Sequence, residues 1–247
     1  MQEPIIEITN IHKSFEGLAV LAGVDLAIRR GETITILGGS GTGKSVLLKL
    51  ISGLEKPDKG AIKINKRDIS PLTEDELVPI RRKIGMLFQG AALFDSLTAG
   101  ENVAYPIREH FRLPEKEIQR IVREKLRLVG LDGVEEKMPA ELSGGMKKRV
   151  GLARAIAIDP EIILYDEPTT GLDPANTERI NQLIVELQRI LKVTSIVVTH
   201  DLASAYAVTD CLALLYKGKI AMKGTKKEFK ASAIKEVRDF IAKKVIE

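Results

Sequence analysis

Thr33-Ile34-Thr35-Ile36-Leu37-Gly38-Gly39-Ser40-Gly41-Thr42-Gly43-Lys44-Ser45 is the stretch on which the fold turns. Its first five residues read as a buried strand, its glycines as a loop, and Lys44 to Leu54 as a buried helix. Gly38 to Ser45 fits G-x-x-x-x-G-K-[ST], in the strand-loop-helix context that the pattern needs. Glycines let successive backbone N–H groups turn onto phosphate oxygens, and a helix N-terminus adds positive potential. Lys44 would set a point charge on the β- and γ-phosphates, and Ser45 would offer its hydroxyl to Mg2+. A merely flexible glycine loop leaves Lys-Ser at that offset unexplained. The candidate nucleotide contacts are therefore Gly38, Gly39, Ser40, Gly41, Thr42, Gly43, Lys44, Ser45 and, next along the helix, Val46.

On the N-terminal side, Ile5, Ile6 and Ile8 form one candidate strand, and Val24, Leu26 and Ile28 alternate in another. On the C-terminal side, Thr73 with Glu76 forms a capping box opening a short acidic helix, and Ile84 to Phe88 returns to a strand. The texture changes near Gln89. Pro114 to Val129 is amphipathic, with Ile118, Ile121, Val122, Leu126 and Val129 on one face and Gly130 as its stop. After Pro160 strands and helices alternate again: Glu161 to Tyr165, a helix from Pro174, Ser195 to Val198, a helix from about Asp201, and Cys211 to Tyr216. The helix from Pro174 would bury Ile180, Leu183, Ile184, Leu187 and Leu191. A tight Lys217-Gly218-Lys219 turn leads to a further strand, and a final helix would align Ile234, Val237, Ile241 and Val245. Such alternation predicts a largely parallel sheet covered on both faces, an α/β fold. The expected organisation is one domain over 1–247, with core segments 1–89 and 160–247 and a helical subdomain over 90–159.

Composition bounds the function classes. The chain has 247 residues, 44% hydrophobic and 29% charged, enough to bury a core and unlike a disordered chain. Its apolar runs are short, such as the six residues Cys211 to Tyr216, far from the ~18 of a membrane span. The N-terminus has neither a basic start nor an apolar signal core, and a lone Cys211 suits a reducing compartment. These predict an intracellular protein without membrane spans. Net charge is +4, but Lys217 to Glu247 carries ten Lys and Arg against four Asp and Glu. Such a basic end could meet a membrane surface, a nucleic acid or an acidic partner, or be a solvated helix face. Aromatics at 4%, with no Trp, argue against a base-stacking platform, so no nucleic-acid partner is expected.

The remaining chemistry sits at strand ends. Ile162-Ile163-Leu164-Tyr165 runs into Asp166-Glu167 and Pro168. In phosphate-loop enzymes a carboxylate at the end of a neighbouring strand holds Mg2+, which suits Asp166. If the strand continues, Glu167 points to the other face and could polarise a water. Asp-Glu-Pro alone is also an ordinary strand exit. His200 ends another strand, where it could bond a γ-phosphate oxygen, hold the attacking water, or simply sit satisfied beside an N-capping Asp201. Gln89 follows the Ile84–Phe88 strand and reads as a surface amide or as a side chain reaching the metal or water. His12 and His110 have no such context and read as structural.

A second anion site is written in Leu142-Ser143-Gly144-Gly145-Met146, before a helix through Lys147, Arg149 and Ala153 to Ile158. Ser143 is an N-cap by default, and such an end also binds anions. A chain with one phosphate cradle needs another only if it serves a different molecule. That points to a head-to-tail homodimer in which Ser143, Gly144 and Gly145 close the neighbour's nucleotide.

In this order the motifs resemble the ATP-binding subunit of an ABC transporter over essentially the whole chain. Gly38 to Ser45 is similar to its Walker A, Gln89 to its Q-loop, Leu142 to Met146 to its signature, and Ile162 to Glu167 to its Walker B. Asp173 matches its D-loop aspartate and His200 its switch histidine; Asp173 before Pro174 also reads as a plain N-cap. Met146 stands where Gln is commoner, Gly39 where many relatives have Pro, and Thr170-Gly171-Leu172 departs modestly before Asp173. The resemblance implies a phosphate-loop core with an N-terminal antiparallel β subdomain and an inserted helical subdomain. It implies ATP and Mg2+ as cofactors, Ser45, Gln89 and Asp166 toward the metal, and Lys44, Glu167, Gln89 and His200 in catalysis. Phe15 would stack on adenine, although it also reads as a plain core aromatic, and Asp173 would make an intersubunit contact. Partners would be membrane permease subunits, placing the chain at the cytoplasmic face of the membrane. Ala92 to Thr98, Glu101 to Pro106, Arg108 to His110 and Met138 to Glu141 further resemble the lipid-transport branch with MCE-type lipid-binding partners. Other readings of the same engine are another solute importer, a cell-envelope regulator, a nucleic-acid-handling relative and a nucleotide-gated scaffold. The last two are disfavoured by the single ATPase half without long coiled coils and by intact Glu167 and His200.

Overall fold

Described over residues 3–242, the computed structural model turns the N-terminal alternation into two 12-residue strands, β1 (Pro4–Phe15) and β2 (Leu18–Arg29). They join through Glu16 and Gly17, both at positive φ (48° and 82°). Such a two-residue loop matches the natural strand twist. β4 (Lys59–Ile64) pairs with the other edge of β1, and β5 (Arg67–Asp68) follows, giving the antiparallel order β2-β1-β4-β5. Strand β4 buries Ile62 and Ile64 on either side of exposed Lys63, a period-2 pattern.

These strands belong to the first of two compact units, Met1–Arg81 with Thr194–Glu247; the second is Arg82–Val193. The first unit also holds β3 (Thr33–Leu37), parallel to both β8 (Thr194–Thr199) and β9 (Cys211–Tyr216). Every residue of β3 and β8 is buried, as expected of strands covered on both faces. β10 (Lys219–Thr225) pairs antiparallel with β9 across Lys217 and Gly218, at φ 47° and 73°. Helix α1 (Lys44–Ile51) packs on β8, α2 (Glu74–Arg81) opens with the Thr73–Glu76 box, and α7 (Leu202–Val208) covers β3. α1 stops short of the expected Leu54. Gly53 turns left-handed (φ 70°), and Arg81 bonds its carbonyl at 2.7 Å, which ends the helix. α8 (Lys226–Lys230) and α9 (Lys235–Ile241) close this unit, packing Phe229 and Val237 against Leu212 and Leu214. Val245, expected on the last apolar face, lies outside the described residues.

The second unit is a parallel pair, β6 (Ile84–Leu87) and β7 (Ile162–Asp166), with four helices. These are α3 (Ala99–His110), α4 (Glu115–Leu128), α5 (Gly144–Ala155) and α6 (Pro174–Leu191). α4 buries Ile118, Val122 and Leu126, and α6 buries Ile180, Leu183, Ile184 and Leu187 on the predicted stripes. Burial of each such side chain contributes roughly 1.5–3 kcal/mol. The unit extends beyond 90–159 because α5 packs against both β6 and α6, tying the strand pair to the helices. Asn102, wholly buried in α3, holds the loop before it through bonds with Phe94, Leu97 and Thr98.

Candidate active site

In the first unit the chain leaves β3 at Gly38, which has no room for a side chain. A Cβ there would lie 2.6 Å from Thr42 Oγ1 and 2.8 Å from the Leu215 carbonyl oxygen. Gly43, at φ 97°, would bring a Cβ within 2.8 Å of Val20 Cγ1. Only glycine meets both constraints, so the loop must wrap tightly into the N-terminus of α1. Lys44 is buried and folds back, its Nζ donating to the carbonyls of Gly38 (3.0 Å) and Gly39 (2.7 Å). Thr42 Oγ1 donates to Gly39 O at 3.0 Å. Ser40 and Gly41 are exposed at the loop tip, and Ser45 and Val46 are half-buried in the first turn of α1. The result is a cation and a glycine loop at a helix start, a built anion cradle.

A cavity of about 1120 Å³ opens beside this loop, lined by Val20, Gly39 to Thr42, His200 and Tyr216 among others. His200, exposed at the end of β8, lines the same cavity as the loop. Asp201 caps α7 behind it, accepting from the backbone N–H groups of Ala203 and Ser204. Phe15 is 41% exposed at the tip of β1, with Lys13 Nζ 5.0 Å from its ring centre. It is not among the residues lining the cavity.

The second unit carries the carboxylates. Asp166 and Glu167 are both buried at the end of β7. The strand does not continue through Glu167, so the alternation argued from sequence does not orient it. Glu167 instead adopts φ 44°, a left-handed conformation costing a non-glycine residue on the order of 1–3 kcal/mol. The turn is held: Thr170 N–H donates to the Glu167 carbonyl and Thr170 Oγ1 to Glu167 Oε2, both at 3.2 Å. Gln89 is exposed just beyond β6. Ser143 is exposed as the N-cap of α5, accepting from Met146 N–H at 3.3 Å, with Gly144 exposed and Gly145 buried against Asn176. Asp173 caps α6 through Asn176 N–H at 3.0 Å. That backbone bond and a second from the Asn176 side chain hold the Asp173 carboxyl below the usual range.

The sequence reading overlooked two cations in α5. Lys148 is buried and donates to the Glu167 carbonyl at 3.2 Å and to the Gln89 carbonyl. Burial pushes its ammonium pKa down, while the Asp166 and Glu167 carboxylates push it back up. Arg154 donates at 2.7 Å to the carbonyls of both Ala91 and Ala92, which stand at φ 62° and 47°. Burial lowers its pKa as well. A signal was present: Lys148, Gly151, Leu152 and Ala155 share one helical face, so a lysine there needs buried acceptors.

Among the described residues no group of three or more His, Cys, Asp or Glu could hold a metal. Mg2+, however, is commonly bound by one or two carboxylates together with substrate phosphates and water. Within the second unit Gln89 and Asp166, and within the first Ser45, are amide, carboxylate and hydroxyl groups of the oxygen-donor kind that Mg2+ takes.

Residues 21–170 match the family model described as ABC transporter. Over 236 residues, 96% of this chain and 66% of the relative, it is 44% identical to a Mycobacterium tuberculosis protein named probable ribonucleotide transport ATP-binding protein mkl. The chain thus spans about two thirds of that relative's length. It is 41% identical over 98% of its length, and 91% of the relative's, to the intermembrane phospholipid transport system ATP-binding protein MlaF of Haemophilus influenzae. A solved dimeric ATP-binding cassette, in a post-hydrolysis state with ADP and Pi, superposes with TM-score 0.83 at 36% identity. The match covers 89% of this chain and 98% of that one.

Proposed function

Because the chain belongs to the ABC transporter family, we propose that it is the ATP-hydrolysing subunit of a membrane lipid transporter, working as a head-to-tail homodimer. The observation that carries the hydrolytic reading is the buried Asp166–Glu167 pair at the end of β7, its second member held in a left-handed turn. Lys44 and the loop Gly38 to Ser45 take the phosphates, with Val46 in the first turn and Phe15 against the adenine. Ser45, Gln89 and Asp166 are the donors for Mg2+, which when bound would neutralise phosphate charge. Glu167 polarises the attacking water, and His200 bonds the γ-phosphate or holds that water. Ser143, Gly144 and Gly145 serve the opposite protomer's nucleotide, and Asp173 lies at the contact between protomers. ATP bridges the pair whereas ADP does not, so hydrolysis releases the closed state.

The lipid assignment is supported by the relative named for phospholipid transport, which this chain matches over 91% of its length. The relative named for ribonucleotide transport extends well beyond the matched part. No helix among the described residues is long and apolar enough to cross a membrane. The transport-system names of the relatives support a subunit that docks on permease partners at the cytoplasmic face. The residues of the lipid-branch resemblance, among them Ala92 to Thr98 and Glu101 to Pro106, lie in the region that would face those partners. Glu167→Gln tests the engine: it should keep ATP binding and lose ~10²–10⁴-fold in turnover. Near-normal turnover would remove Glu167 from its role. Pull-down from detergent-solubilised membranes tests the branch, with a permease and an MCE-type lipid-binding protein expected; a solute importer's permease instead would overturn it.

A further inference from the structure

We infer that Lys148 is a positioning residue that locks the water-polarising loop and the metal-reaching loop to the helix carrying Ser143. This deepens the proposed reading of Gln89, Glu167 and Ser143 and rests on it. Lys148 lies five residues into the helix that Ser143 caps, and it is buried. Its one ammonium donates to two carbonyls from different loops, that of Gln89 after β6 and that of Glu167 after β7. Three donors on a tetrahedral head can serve several acceptors at once, which an apolar side chain of similar length cannot.

Both loops need such a tie. Glu167 sits in a left-handed conformation, and its carbonyl is shared between Lys148 and Thr170 N–H. Beyond Gln89, Ala91 and Ala92 are also left-handed, and Arg154, two turns further along α5, holds their carbonyls. Helix α5 thus grips the Gln89–Ala92 segment at both ends and the Glu167 turn at its start. A shift of α5 is transmitted to Gln89 and Glu167 without passing through any bound group. Engagement of Ser143 by a neighbouring protomer's phosphate would therefore bear on this protomer's own water and metal residues. The role of Lys148 requires no contact with nucleotide or metal. It acts by holding backbone, where displacement of a reacting group by about 1 Å can cost roughly a hundredfold.

The test uses the full chain with Lys148→Met, which keeps most of the stem and removes the charge and donors. Measured together are ATP turnover, ATP affinity and amide exchange of 89–92 and 167–171. The expected result is a fall in kcat of about tenfold or more, with ATP affinity within about twofold. Exchange should quicken in both loops together, while that of β7 and of α5 stays as in wild type. Lys148→Arg, which retains charge and several donors, should recover much of the loss. A folded Lys148→Met with wild-type turnover would overturn the proposal. So would loosening of one loop alone, or an affinity loss matching the fall in kcat. If Lys148→Met does not fold, Lys148→Gln, whose shorter side chain cannot hold both carbonyls, is read instead: kcat should fall and exchange should quicken in at least one of the two loops, and wild-type exchange in both would overturn the proposal. Glu167→Gln is run beside them: retained turnover there sinks the catalytic reading, while the exchange result still decides whether Lys148 holds both loops.

Discussion

Lys44 shows how a single buried charge can be read from its position. It is buried at the start of α1, and its ammonium rests on the carbonyls of Gly38 and Gly39. Those are neutral acceptors, so an arriving phosphate offers a stronger, charge-assisted partner. Lys44→Ala should therefore weaken ATP binding itself, by at least about tenfold in Kd, since one hydrogen bond to a charged group is worth roughly 1.5–3 kcal/mol. Titration of a fluorescent ATP analogue checks this, and an unchanged Kd would take Lys44 out of phosphate binding. The contrast with Lys148 is instructive. Lys44 announces itself by its offset within a glycine loop, whereas Lys148 sits in a run of basic residues and differs from Lys147 only in the face it occupies.

At the scale of elements, caps decide where strand ends become helices. Asp201 follows His200 and accepts from Ala203 and Ser204 at the start of α7. Partial burial pushes its carboxyl pKa up, but the bonds from Ser204 and Ala203 outweigh that and leave it below the ordinary aspartate value. A carboxyl whose folded pKa is depressed stabilises the protein above its unfolded pKa and loses that contribution as pH falls through the folded value. Asp201→Ala should cost about 1 kcal/mol near neutral pH. The gap from wild type should narrow in melts carried from about pH 7 to about pH 3. A gap that widened in acid would contradict the capping role. Most helix starts were visible beforehand, as at Thr73, Ser143 and Asp173, because a cap and its N–H partner lie within three residues. The end of α1 was not, because Arg81, which takes the Gly53 carbonyl, is 28 residues away.

For the whole molecule the decisive question is whether two copies share each nucleotide. Ser40 at the tip of the cradle and Ser143 at the cap of α5 are both exposed, as residues meeting another protomer must be. Protomers carrying Ser40→Cys mixed with protomers carrying Ser143→Cys, with Cys211→Ser in both, should crosslink when ATP is added. Only a bond between copies can form in that mixture. Failure to crosslink with ATP, in protomers that bind ATP normally, would overturn the shared site. Cys211 suits removal: burial raises its thiol pKa, and its sulfur rests on the Gly224 carbonyl oxygen at 3.3 Å.

Alone, the sequence determined the strand-loop-helix cradle, the α/β alternation, the capped helices and the carboxylate pair. Each of these is encoded by residues close together in the chain, where periodicity, glycine and caps act directly. It did not determine β4, whose pairing depends on β1 some fifty residues earlier. Nor did it determine the direction of Glu167, since a strand's alternation holds only while the strand lasts. Tertiary structure decided that point by turning the backbone left-handed at Glu167 and giving its carbonyl a lysine 19 residues away, which also reaches Gln89, 59 residues away. Local rules cannot foresee such a bond, because a buried ammonium takes whichever carbonyls packing brings to it.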